Sequence, residues 1–137
     1  YVGDIKSVNT KILHDLMEQD FLPIVYPIGM DDNGDAYNIN ADEAASAIAT
    51  ALKAEKLAYL SDVEGVRRDP EDPSSVISEL YVEEAEKLVK EGVIKGGMLP
   101  KIRNCIEALK DGVSRIHIMD GRIPHSLHTG KRGEILE

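Results

Sequence analysis

"AYNINADEAASAIATALKAEKLAYLSDVEGV", residues 36–66, decides the fold. Its first part predicts a helix from about Asn40 to Ala54, and the second, "KLAYLSDVEGV" (56–66), predicts a buried strand running into a loop at Asp62 to Gly65. Ala44, Ala45, Ala47, Ala49 and Ala51 are the small residues a helix needs to pack tightly on a sheet. A helix that hands over directly to an apolar strand is the repeating unit of α/β proteins.

The rest of the chain continues this alternation. Asn9 or Thr10 is placed to cap a helix over Lys11 to Gln19, with Ile12, Leu13, Leu16 and Met17 as its apolar stripe. "FLPIVYPIGM" (21–30) reads as a buried strand of continuous apolar character, and "DDNGDA" (31–36) as a turn. "RRDPEDPSS" (67–75) is a polar excursion and "VISEL" (76–80) a short strand. "YVEEAEKLVKEG" (81–92) predicts a helix stopped by Gly92, and "GGMLPKIRNCIEALKDG" (96–112) one with Pro100 in its first turn. "VSRIHIMDG" (113–121) is a further buried strand, and the tail "HSLHTGKRGEILE" is irregular with one edge strand at its end. The expectation is a three-layer α/β/α sandwich with a mainly parallel sheet, whose ligands sit beyond the carboxyl ends of its strands.

Composition narrows the function classes. The 137 residues suffice for a single domain, and 42% apolar with 30% charged residues is a globular balance. A net charge of −9, one Phe and no Trp argue against a nucleic-acid partner. No apolar run approaches the ~18 residues of a membrane span, and no secretory leader is visible. A single cysteine, Cys105, excludes an intrachain disulfide and a cysteine-rich metal site, so a reducing, cytoplasmic setting is the expectation. The opening "YVGDIKSVNT" reads as the interior of a longer sequence.

Three local patterns carry chemistry. At the mouth of the alanine helix, Asn40 fits an N-cap and Asp42 a first-turn acid favoured by the helix dipole. That leaves Asn38, which lies four residues before Asp42; in a helical first turn both would face one cleft. On the helix after Gly96 and Gly97, Met98, Ile102, Cys105, Ile106 and Leu109 form the core stripe, with Arg103, Glu107 and Lys110 pointing away. Lys101 falls on the flank of that stripe in the first turn, where the dipole disfavours a cation by ~0.3–1 kcal/mol. A snorkelling surface lysine is the plain alternative, but the adjacent glycines allow backbone N–H groups to approach a phosphate. The third pattern, "LSDVEGV" (60–66), places Asp62 at a strand end before a tight turn, which suits either an Asx turn or a nucleotide contact.

These patterns, in the order "YVGDIKSVN", "YNINADEAA", "LSDVEGV", "GGMLPK" and "HIMDGRIPH", resemble the amino-acid kinase family and most closely its acetylglutamate kinases. The resemblance implies transfer of the terminal phosphate of ATP to the γ-carboxylate of N-acetyl-L-glutamate, a reaction of arginine biosynthesis. It implies that Asn38 binds the acetylglutamate, with Asn40 beside it. It also implies that Asp42 organises catalytic lysines and that Lys101 stabilises the transferring phosphoryl group. Asp62, Val63, Gly65, Val66 and Arg67, with Val93, Ile94, Lys95, Gly96 and Gly97, resemble the nucleotide-binding parts. Mg²⁺ would ride mainly on the phosphates, with no protein ligand assigned.

Two departures matter. The half of the family carrying the glycine-rich phosphate loops, a second catalytic lysine and most of the acetylglutamate pocket has no counterpart here. The chain therefore resembles the carboxy-terminal, ATP-binding half, expected to bind Mg-ATP or ADP weakly and to turn over little substrate alone. After "DGRIPH" the usual leucine-rich helix and "FTDxGxGT" stretch are replaced by Ser126, Leu127 and "HTGKRGEILE", so arginine feedback is not expected. Family dimers form through the other half, which leaves a homo-oligomer open. His125 and His128, with no third ligand nearby, read as surface residues rather than a metal pair. The rival readings are a kinase of the same fold acting on another amino acid or carbamate, and a non-catalytic nucleotide-binding or interaction module.

Overall fold

The structure is a computed structural model, and it describes residues 2–126 and 133–136. Helix α1 (Thr10–Glu18) is followed by strands β1 (Ile28–Met30) and β2 (Ala36–Asn38), helix α2 (Ala41–Ala51) and strand β3 (Lys56–Ser61). A 3₁₀ turn at Pro73–Ser75 precedes β4 (Glu79–Tyr81), α3 (Val82–Lys90), α4 (Met98–Lys110), β5 (Arg115–Asp120) and β6 (Gly133–Leu136). Asn9 caps α1 by accepting from the backbone N–H of Lys11, one of the two residues expected there.

The main sheet has the order β3-β5-β6-β4. β3 with β5 and β4 with β6 are parallel, and β5 with β6 is antiparallel. The α/β class with a mainly parallel sheet stands as expected. β6, expected as an edge strand, instead lies between β5 and β4, with Ile135 buried. Its "GEIL" sequence is too short to show whether strands flank it on one side or two, because position in a sheet is a long-range property. Leu127 and His128 of the tail lie outside the described residues.

β5 supplies the middle of the core, with Ile116 and Ile118 buried towards one face and His117 and Met119 towards the other. On α4, Ile102, Cys105, Ile106, Ala108 and Leu109 are buried while Arg103, Glu107 and Lys110 are exposed, the stripe its 3.6-residue period predicts. α4 packs against α2, α3 and β5, so it forms the spine of the helical layer. The alanines of α2 let α4 approach closely, although only Ala49 is fully buried.

A second expectation fails in the first third of the chain. Residues 21–30 are not a buried strand: only Ile28–Met30 is extended and paired, in a two-stranded antiparallel hairpin with Ala36–Asn38. Phe21, Leu22, Ile24, Val25, Tyr26, Ile28 and Met30 are between 53% and 86% exposed. A continuous apolar run signals burial on both faces, and burial needs neighbouring strands and a covering layer. The hairpin is separate from the four-stranded sheet, so among the described residues the run has β2 beside its last three residues and no place inside the main sheet. Contiguous exposed apolar surface of this kind is the mark of an interaction face. No helix among the described residues is long and apolar enough to cross a membrane.

Candidate active site

The first-turn acid of α2 and the first-turn lysine of α4 meet. Lys101 Nζ donates to Asp42 Oδ2 at 2.5 Å, across 59 positions of sequence. The Lys101 side chain is 13% exposed and that of Asp42 36%, so the pair lies in a cleft, half open to water. The ammonium also stands 4.7 Å from the centroid of the Tyr59 ring on β3. That distance is within range of a cation–π contact. Two elements thus hold the lysine: a carboxylate from α2 and an aromatic face from the sheet.

Tyr59 also reaches α2. Its hydroxyl donates to the backbone carbonyl of Asp42 at 3.1 Å and lies 2.5 Å from Ser46 Oγ. Because a carbonyl only accepts, the phenol proton is committed to Asp42, and Ser46 is the donor to the phenol oxygen. Burial raises the Tyr59 pKa, so the hydroxyl stays protonated and keeps that bond. Cys105, one turn beyond Lys101, is fully buried, and desolvation pushes its thiol up to about 12 despite the nearby ammonium. Neither Tyr59 nor Ser46 was singled out from sequence. The available signal was that Ser46 is four residues after Asp42 and shares its helix face.

The asparagines divide. Asn40 is the N-cap of α2, its side chain accepting from the N–H groups of Asp42 and Glu43 at 2.9 and 3.2 Å. Asn38 is not in a helical first turn; it ends β2, paired with Ile28 and bridged to Val2. The argument from four-residue helical spacing therefore does not hold for Asn38 and Asp42, although Asn38 remains exposed just before the helix mouth.

Two sequence-distant groups of the expected nucleotide residues converge. A cavity of about 200 Å³ is lined by Val63, Gly65, Val66 and Arg67 from the loop after β3, and by Val93, Ile94 and Lys95 before α4, with Pro70 and Met98 completing it. Pro70 and Met98 were not anticipated as lining residues. Val66 and Ile94 are buried, Val63 half-buried, and Lys95 exposed at the rim. The polar excursion after Arg67 folds back on itself: Ile77 N–H donates to Val66 O at 2.8 Å, and Ser75 Oγ ties Asp69 to Asp72. That closure fixes the wall containing Val66 and Arg67. Asp62 is exposed beside this loop, its carboxylate within 3.3 Å of Ser61 Oγ.

Gly96 and Gly97 connect the cavity to the ion pair. Gly96 has φ +59°, a conformation that disfavours a side chain, and Gly97 is the N-cap of α4 with no side-chain cap bond. Leu99 N–H donates to Gly96 O at 3.2 Å, and the exposed Gly96 and Gly97 place no side chain in front of the helix start, where an anion is favoured. Met98 lines the cavity, and Lys101 follows three residues later, about 4.5 Å along the axis and on the same side of the helix. At the neighbouring strand ends, Arg122 donates from both its guanidinium and its backbone to Asp120, which holds that carboxyl at about 2. Among the described residues no group of three or more His, Cys, Asp or Glu is placed to hold a metal.

The result is an α/β domain with a charged pair at the start of one helix and an apolar cleft beside it. The model of the amino acid kinase family matches residues 1–120, and the chain belongs to that family. The acetylglutamate kinase of Heliobacterium modesticaldum is 50% identical over 127 residues, 93% of this chain and 43% of that protein. A crystal structure of the N-acetylglutamate synthase of Neisseria gonorrhoeae with coenzyme A and L-arginine superposes with a TM-score of 0.88 at 26% identity, covering 99% of this chain and 32% of that one. The carbamate kinase of Giardia lamblia bound to AMP-PNP gives a TM-score of 0.62 at 26% identity, covering 80% of this chain and 36% of that one. The chain thus spans less than half the length of the curated relatives it matches.

Proposed function

We propose that this chain is the carboxy-terminal, nucleotide-binding half of an acetylglutamate kinase, and that it has little or no activity alone. The Lys101–Asp42 pair, one turn beyond the cavity lined by Met98, carries the reading. Its support from relatives is the identity to acetylglutamate kinases and the fold likeness to a carbamate kinase bound to an ATP analogue. Val63, Val66, Ile94 and Met98 form apolar walls for a base, while Lys95 and Arg67 bring positive charge to the rim. Gly96 and Gly97 offer N–H groups to phosphate oxygens. These residues fit a nucleoside triphosphate, with Mg²⁺ held through its phosphates.

The chemistry asks for little acid–base work, since a γ-carboxylate is already ionised near pH 7. It asks for alignment and for positive charge where the phosphoryl oxygens gain negative charge. Lys101 supplies that charge. Asp42 holds the ammonium by a charge-assisted bond, about twice as strong as a neutral one. Asn40 fixes the helix turn carrying Asp42, and Asn38, exposed at the end of β2, is left to orient the acetylglutamate. The exposed apolar run at 21–30 is where the other half would dock.

Calorimetric titration of the chain with Mg-ADP and Mg-ATP tests the first part, with weak saturable binding expected. A hydroxylamine trap for acetylglutamyl phosphate tests the second, with little or no turnover expected. Absence of nucleotide binding sinks the assignment of the cavity, and robust turnover sinks the assignment as a half.

A further inference from the structure

We infer that Tyr59 is a positioning residue for Lys101: its ring seats the ammonium, and its hydroxyl locks the turn of α2 that carries Asp42. Lys101 has four rotatable side-chain bonds, and Asp42 is 36% exposed, so the ion pair alone leaves the ammonium free to swing towards water. The Tyr59 ring, 4.7 Å from Nζ and itself 4% exposed, gives the ammonium a second, buried contact beside the carboxylate. A cation over a shielded aromatic face is held by its quadrupole at no desolvation cost to a second charge. The hydroxyl bond to the Asp42 carbonyl, backed by Ser46, sets the height of the α2 turn relative to β3. One rigid side chain on the sheet therefore references both members of the pair to the strand whose end leads into the nucleotide loop.

The contact itself is independent of the kinase reading, but its consequence for rate rests on it. Two readouts keep these apart. In the 137-residue chain, the ε-methylene protons of Lys101 are expected upfield in the NMR spectrum through the ring current of Tyr59. The shift is retained in Tyr59→Phe and lost in Tyr59→Leu. In the complete enzyme, Tyr59→Leu is expected to lower kcat about tenfold or more with KM for ATP within about twofold, because small misplacements of a reacting group cost rate rather than binding. Tyr59→Phe, which keeps the ring, is expected to recover most of that loss. An unshifted Lys101 in the wild type overturns the inference whatever the activity. A folded Tyr59→Leu variant with unchanged kcat overturns it too, and leaves the kinase assignment standing. A wild-type enzyme that transfers nothing to acetylglutamate sinks that assignment instead, and the NMR shift still decides whether Tyr59 seats the lysine.

Discussion

Replacing Lys101 by Met removes the ammonium while keeping a stem of similar length. Loss of one preorganised donor from a catalytic site costs about 10²–10³ in kcat, or about 2.7–4 kcal/mol. The structure favours the lower figure. The lysine side chain is only 13% exposed, so little water replaces it, but the 36% exposure of Asp42 leaves the cleft open on one side. Asp42→Asn is a different perturbation: the ammonium stays and loses its charged partner, so a fall of about tenfold, some 1.4 kcal/mol, is expected. Because Asp42 acts through Lys101, the double variant should lose no more than Lys101→Met alone, giving a coupling energy of about the same 1.4 kcal/mol. Initial rates of ADP release at saturating ATP and acetylglutamate, measured on the complete enzyme and checked by thermal melts for folding, give all four corners of the cycle. Multiplicative effects of the two substitutions would refute the reasoning, as would a Lys101→Met enzyme within about threefold of wild type, since the charge would then be worth under about 0.7 kcal/mol.

Other outcomes follow from the same geometry. Val63→Trp puts a large ring into the cavity of about 200 Å³, so Mg-ADP affinity should drop about tenfold or more by calorimetry; unchanged affinity places the nucleotide elsewhere. Arg122 holds the Asp120 carboxyl at about 2 against an ordinary 3.8, so the ion pair adds stability above pH 3.8 that is lost as pH falls towards 2. Asp120→Asn should therefore melt lower at neutral pH yet flatten the acid limb between pH 4 and pH 2, and an unaltered limb would show that Arg122 is not responsible. Cys105 is buried with its thiol raised to about 12, so a thiol reagent at pH 8 should label it slowly when folded and rapidly in urea. Equal labelling rates would place the thiol at the surface.

How much of this was legible in the chain depends on the range of the physics involved. α4 is a local object: its apolar period, its glycine start and its stop near Gly112 are all within its own turns, and four of the five residues of its expected stripe are buried, with Met98 half-buried and Ala108 buried in addition. Asn40 as a cap is equally local. Residues 21–30 misled because hydrophobicity reports a demand for burial and not its fulfilment; Phe21 to Met30 carry the pattern of a central strand while lying on the surface. β6 misled for a related reason, since a short strand does not encode how many neighbours it will have.

The site shows the same division. Lys101 stood out because it breaks a helix-dipole preference, and most lining residues of the proposed nucleotide cavity stood out through likeness to a family. Tyr59 and Ser46 left almost no trace, because a tyrosine in an apolar strand and a serine in an alanine helix each have an ordinary explanation. Sequence alone determined the helices, the α/β class and the kinds of chemical group present, all of which are set by interactions within a few residues. The tertiary structure alone decided that an acid at position 42, a tyrosine at 59 and a lysine at 101 share one cleft, and which apolar surfaces stay uncovered. Those outcomes depend on contacts between elements far apart in the chain, whose geometry exists only once the sheet and its helices have packed.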